Sequence, residues 1–171
     1  MRRFWQYLLL AVTGLIIMIM SPPITGQAKE ITSATGLDVN SCVIKDARGR
    51  VVSHTATLPA NADYTINYNW QIPNSVRLQN GDTMSFYVPE NVAVIGDRSF
   101  PMNGSGSIGV VGTTSIKDGA HVGTVTLNAR LANSRQRSGF IRINVKGTQP
   151  VTPTPTKPVT MTKQVSWTTP Q

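Results

Sequence analysis

Four arginines cluster around the predicted loop of the last hairpin, at 132–138, and are the side chains best suited to hold a charged ligand: Arg130, Arg135, Arg137 and Arg142. A cluster of positive charge predicts an anionic partner, such as a carboxylated or sulfated glycan or an acidic patch on a protein. Alternatively, the arginines are solvated strand ends, where charge prevents unwanted edge pairing. Nucleic acid is disfavoured as a partner, because no aromatic platform accompanies the cluster.

The sequence contains no pattern that predicts catalysis, a metal site or a cofactor. Gly104–Gly109 fits G-x-G-x-x-G, but the dinucleotide-binding fingerprint needs a helix after it, and Val110 and Val111 continue as strand. His54 and His121 are the only histidines, and neither has a partner at metal-ligand spacing. Most carboxylates fall in turns, where they bond the local backbone. We therefore predict a protein that is not an enzyme, and a flexible loop at 104–109.

The single cysteine, Cys42, excludes an intramolecular disulfide. A secreted domain without disulfides must rely on its apolar core. We interpret Cys42 as a small buried hydrophobic residue of the first strand rather than as a reactive thiol.

Two stretches in the middle of the chain predict half-buried strands. Apolar side chains alternate with polar ones in both: Ile66, Tyr68 and Trp70 in the first, and Met84, Phe86 and Val88 in the second. A period of two places one face on a core and the other in water. Pro73 and Pro89 end the two strands, because proline has no N–H to donate to the ladder. Trp70 is predicted to be a core residue.

Further strands are predicted at 37–44, 51–58, 92–95 and 108–115, with a loop at 100–106. Alternation over 124–131 and 141–145 predicts a terminal hairpin. No window has a sustained helical period. Seven to nine short strands separated by turn signals predict an all-β fold, specifically an immunoglobulin-like β-sandwich.

The chain divides into five predicted segments. Residues 1–28 combine Arg2 and Arg3, an uncharged apolar stretch and the small residue Ala28, which indicates a secretory signal peptide; the alternative is an uncleaved N-terminal anchor. Residues 29–36 are predicted to be flexible, and 37–147 form the domain. Residues 148–158 are a Pro/Thr-rich linker. Residues 159–171 begin a further strand or domain, as in a truncated frame, or fold back on the first domain.

Three stretches carry a resemblance to a known family: Tyr68–Pro73, Gly81–Thr83 and Val88–Glu90. Together with the turn at Lys45–Gly49, they resemble the bacterial immunoglobulin-like (SDR-like) domain of Gram-positive, LPXTG wall-anchored adhesins of the collagen- and fibrinogen-binding (MSCRAMM) type. The resemblance covers about 37–147. The tail at Lys163–Trp167 is similar to the first strand of the ligand-binding domain that often follows in these adhesins.

The resemblance implies a secreted or surface-displayed adhesion module without a cofactor, which binds a collagen- or fibrinogen-like extracellular matrix protein or an anionic surface glycan. It implies no stable membrane span after signal cleavage. The family's sorting signal has no counterpart after Gln149. The alternative function is a structural spacer, or a truncated and non-binding remnant of a larger wall-anchored adhesin.

Some adhesins of this type contain a Lys–Asn isopeptide bond, for which Lys45 and Asn144 are the candidates by position. Asn144 falls on the polar side of its strand with Arg142 and Lys146. Because the reaction needs a buried, neutral lysine, we predict that this bond does not form.

Overall fold

A computed structural model describes residues 27–150. The predicted linker at 148–158 lies mostly outside these residues, as does the predicted signal peptide, and 159–171 lies wholly outside. The described part is all-β, as predicted, with nine strands joined in one antiparallel, curled sheet. The strands are β1 Val43–Asp46, β2 Val51–Val52, β3 Asp63–Gln71, β4 Thr83–Tyr87, β5 Val92–Ala93, β6 Arg98–Gly104, β7 Val110–Ile116, β8 Val122–Leu127 and β9 Ser138–Gly147.

The strands follow the order β2-β1-β3-β9-β6-β7-β8-β4, and β5 pairs with the end of β9. The number of strands lies within the predicted range. The finer expectation, two packed sheets of the immunoglobulin kind, stays a prediction.

The inner face of the curled sheet holds the core, and the predicted alternation is confirmed. Ile66, Tyr68 and Trp70 of β3 are buried, as are Met84 and Phe86 of β4. The rings of Tyr68 and Phe86 meet edge to face, with centroids 5.6 Å apart. The Tyr68 hydroxyl donates to the Tyr87 carbonyl oxygen at 2.8 Å, so the one polar atom of this buried ring is satisfied.

Residues 29–36, predicted to be flexible, are instead tied to the sheet at both ends. The Ile31 amide donates to the Thr83 carbonyl oxygen at 2.7 Å, and Thr35 pairs with Gln71 of β3. The side chain of Ile31 is buried in the core. The composition is mostly polar, but Ile31, Ala34 and the backbone hydrogen bonds supply the attachment that the sequence pattern did not reveal.

The predicted terminal hairpin is wrong. β8 pairs with β7 and β4, whereas β9 pairs with β3, β6 and β5. The chain leaves β8 through a single helical turn, α1 Ala129–Ala132, which Asn128 caps by accepting hydrogen bonds from two of its amides. The alternation correctly identified the inward side chains of β8 and β9, but alternation alone does not determine the partner of a strand.

Three other predicted segments differ from the observed ones. The predicted loop at 100–106 lies mostly in β6, which pairs with β7 through a register shift at Met102/Asn103. The predicted strands at 37–44 and 51–58 shorten to β1 and to the two-residue β2. Much of 37–44 is a turn in which Asp38 accepts hydrogen bonds from the Asn40 and Ser41 amides.

Candidate functional site

The outer face of β1, β3 and β9 presents rows of aligned side chains, most of them polar. Asn67 of β3 lies between Val43 of β1 and Arg142 of β9. In the next row, Thr65 lies between Lys45 and Asn144. Because side chains alternate across a pleated sheet, residues in register stand side by side on one face. The sheet therefore holds these rows in a fixed array.

Phe140 is an aromatic side chain on this same outer face, where polar side chains would be expected. It is 54% exposed. It is in register with Asn69 of β3 on one side and Asn103 of β6 on the other. An exposed ring flanked by two amide side chains offers a ligand one apolar surface and several hydrogen-bonding groups.

A groove of about 490 Å³ runs over this face. We call it the Phe140 groove; its lining residues are Val43, Lys45, Val51, Asn67, Tyr68, Asn69, Phe140, Ile141 and Arg142. Val51 of β2 contributes a second exposed apolar side chain. The charged lining residues are Lys45 and Arg142, both cationic, and no carboxylate of the described residues lines the groove. The groove thus combines apolar surface with positive charge.

Hydrogen bonds position Arg142 within the groove. Its Nε donates to Asn67 Oδ1 at 3.1 Å, and Asn67 Nδ2 donates to the Val43 carbonyl oxygen at 3.2 Å. This chain of bonds leaves the two terminal nitrogens of the guanidinium to contact a ligand. Paired donation from these nitrogens suits a carboxylate or sulfate group.

The other three predicted arginines are not gathered around a hairpin loop, because β8 and β9 do not form a hairpin. Arg130 donates to the Ile108 carbonyl oxygen at 3.0 Å. Arg137 is half-buried, and its guanidinium donates to the carbonyl oxygens of Ser134, Val76 and Ala132. Arg135 is exposed. Of the four, Arg142 lies in the Phe140 groove, and Arg137 joins the β8–β9 connection to the loop at Val76.

Replacing Arg137 with glutamine should lower the free energy of unfolding by about 2 kcal/mol, because hydrogen bonds from a charged, half-buried donor to three backbone carbonyl groups are lost. Urea denaturation measures this change. Arg135→Gln is the matched control and should change stability by less than about 0.5 kcal/mol, as exposed substitutions do. Equal effects of the two variants would contradict the structural role of Arg137.

Cys42 is buried, as predicted, and lies directly before β1. Its Sγ lies 3.6 Å from His54 Nε2, a neighbour that sequence spacing did not reveal. Burial raises the pKa of the Cys42 thiol to about 11. The thiol is therefore protonated at neutral pH, which makes it a poor nucleophile.

The structure also places the glycine-rich motif, His121 and the two candidate isopeptide residues. Gly104–Gly109 spans the end of β6 and the turn into β7, and the Gly104 amide donates to the Gly109 carbonyl oxygen at 2.9 Å. His121 Nδ1 lies 3.2 Å from the Val88 carbonyl oxygen. Asn144 is exposed, as predicted, and Thr65 separates it from Lys45.

Within residues 27–150, no three His, Cys, Asp or Glu side chains are grouped as a metal site would require. The same residues include no helix with the length and apolar character needed to span a membrane.

Comparison of the sequence with protein-family models and with curated proteins finds no match. The resemblance to wall-anchored adhesins therefore stays a prediction from the motifs quoted above.

Sequence reasoning found Arg142 and missed the rest of the Phe140 groove. A local signal was present in β9, where Phe140, Arg142 and Asn144 share one side of the alternation. An aromatic residue on the polar side of a strand indicates an exposed apolar position. Asn69 and Asn103 could not be found in this way, because their proximity to Phe140 depends on which strands pair with β9.

Proposed function

We propose that this protein is a non-enzymatic adhesion module, secreted or displayed on the surface of a Gram-positive bacterium, that binds an acidic segment of an extracellular matrix protein. A single observation carries the proposal: the Phe140 groove combines an exposed aromatic ring with two cationic side chains and is built on paired strands. The resemblance of Tyr68–Pro73, Gly81–Thr83 and Val88–Glu90 to motifs of fibrinogen- and collagen-binding adhesins supports the choice of partner.

The chemistry of the groove favours an extended protein segment over a purely ionic ligand. Aromatic and arginine side chains are the residue types that most often dominate protein interfaces. Phe140 and Val51 offer apolar surface to a side chain, while Arg142 and Lys45 offer charge to a carboxylate. An anionic glycan would use the cations but leave much of the apolar surface without a partner.

The test is binding of residues 29–171 to immobilised fibrinogen, collagen and heparin by surface plasmon resonance. We expect fibrinogen or collagen to bind more tightly than heparin. Phe140→Ala and Arg142→Gln should each weaken that binding by about tenfold or more, in line with the loss of a central interface contact.

Arg98→Gln is the matched control, because Arg98 is exposed at the start of β6 and does not line the groove. It should leave binding unchanged. If heparin binding depends on Arg142 but not on Phe140, the partner is an anionic glycan and not a matrix protein. Failure to bind any of the three probes would favour the structural spacer.

A further inference from the structure

Asp82 is a fully buried carboxylate at the start of β4, with 0% of its surface exposed. Its Oδ2 accepts a hydrogen bond from the Gln79 amide at 2.8 Å, and its Oδ1 accepts one from the backbone nitrogen of Lys29 at 3.0 Å. None of the ion pairs found within residues 27–150 includes Asp82. Burying a carboxylate without a cation costs free energy, so a positive charge beside Asp82 would stabilise the fold.

The backbone nitrogen of Lys29 is held beside Asp82 by the pairing of its own segment with β4. The Thr83 amide donates to the Lys29 carbonyl oxygen at 2.9 Å, and the Ile31 amide donates to the Thr83 carbonyl oxygen at 2.7 Å. These two bonds flank Glu30, the residue that directly follows Lys29, and hold it against Thr83. The Lys29 nitrogen is thus positioned by the sheet and not only by the contact with Asp82.

Lys29 directly follows Ala28, the small residue at which the signal peptide is predicted to end. We propose that a signal peptidase cleaves the Ala28–Lys29 bond, and that the new α-ammonium group of Lys29 forms an ion pair with the buried carboxylate of Asp82. Water supplies the atoms: Ala28 leaves as a carboxylate, and the freed Lys29 amine takes up a proton.

Cleavage would therefore replace a neutral amide donor to the Asp82 carboxylate with a positively charged one, without moving the chain. The ammonium group adds a Coulomb attraction to the carboxylate that the neutral amide lacks. Gln27 and Ala28, the two described residues that cleavage removes, are both exposed, so neither gives up a buried side chain. The processed protein would be more stable than its precursor. This inference rests on the predicted cleavage site and is independent of the Phe140 groove.

The experiment compares two forms of the chain that end at Gln171, one beginning at Lys29 and one beginning at Gln27. In the longer form the Lys29 nitrogen remains an amide. We expect the form with a free Lys29 α-amine to melt about 5 °C higher, a shift that corresponds to roughly 1–2 kcal/mol for a domain of this size. In an Asp82→Asn background, the difference between the two forms should disappear.

A second measurement needs no variant, so it tests the ion pair between Lys29 and Asp82 even if Asp82→Asn does not fold. The Lys29 α-amine should react at least about tenfold more slowly with an acylating reagent at pH 7 in the folded protein than in urea, because ion pairing keeps it protonated. Mass spectrometry of the N-terminal peptide gives the rate. Equal rates, equal melting temperatures, or an exported protein whose N-terminal residue is not Lys29 would overturn the proposal.

Discussion

Replacing Gly36 with alanine should lower the free energy of unfolding by about 3 kcal/mol, the sum of a backbone penalty and a steric one. Gly36 has a φ of +80°, which costs an alanine about 1–2 kcal/mol. A Cβ at this position would also overlap the backbone carbonyl oxygen of Asn69. A carbonyl group of a paired strand cannot move aside cheaply, so the segment that carries Gly36 would separate from β3.

Gly49→Ala is the matched control for this prediction. Gly49 has nearly the same φ, +79°, and no atom lies within 4 Å of the position that its Cβ would take. Gly49→Ala should lower the free energy of unfolding only by the backbone penalty, about 1 kcal/mol. Urea denaturation of both variants measures the difference. If both alanine variants lose the same stability, the close approach of residues 29–36 to β3 is incorrect.

Replacing Trp70 with alanine should lower the free energy of unfolding by about 4 kcal/mol, the largest effect that we expect from a single side chain. Trp70 is 1% exposed and is among the largest fully buried side chains of the described residues. Removing it leaves a cavity that the paired strands cannot collapse to fill. Because a domain is typically stable by only about 5–15 kcal/mol, this loss is a large fraction of the total.

Trp70→Phe separates the volume of the ring from its polar atom. In the described structure the indole Nε1 is buried without a hydrogen-bond partner, so phenylalanine removes an unsatisfied donor while keeping most of the volume. We expect Trp70→Phe to lower the free energy of unfolding by less than about 1.5 kcal/mol. Urea denaturation followed by circular dichroism measures both variants. A phenylalanine variant as unstable as the alanine variant would show that the indole nitrogen forms a hydrogen bond.

The inward residues of the sheet could be predicted from the sequence because burial follows a period of two. This succeeded for β3, β4 and β9, where alternating side chains such as Ile141 and Arg142 are buried and exposed in turn. The pairing of strands could not be predicted in this way. The Asn128-capped turn follows β8 and ends its alternation, and Arg137 then joins the β8–β9 connection to Val76 through a contact distant in sequence that no local pattern predicts.

The candidate site shows the same limit. Charge alone predicts Arg142 as a binding residue together with three other arginines, but the structure bonds Arg130 and Arg137 to backbone carbonyl groups and leaves Arg135 exposed outside the groove. Lys45, Asn67 and Phe140 come together only because β1, β3 and β9 are neighbours in the sheet. Likewise, the contact between Lys29 and Asp82 joins residues far apart in the chain, so no local pattern predicts it.

The most direct test of the Phe140 groove is to record the amide NMR spectrum of residues 29–171 during titration with whichever of fibrinogen, collagen or heparin binds, each supplied as short fragments. We expect the shifts to concentrate in β1, β3 and β9, around Asn67, Phe140 and Arg142. Shifts confined to the outer face of β7 and β8, or no shift with any probe, would contradict the assignment of this groove as the binding site.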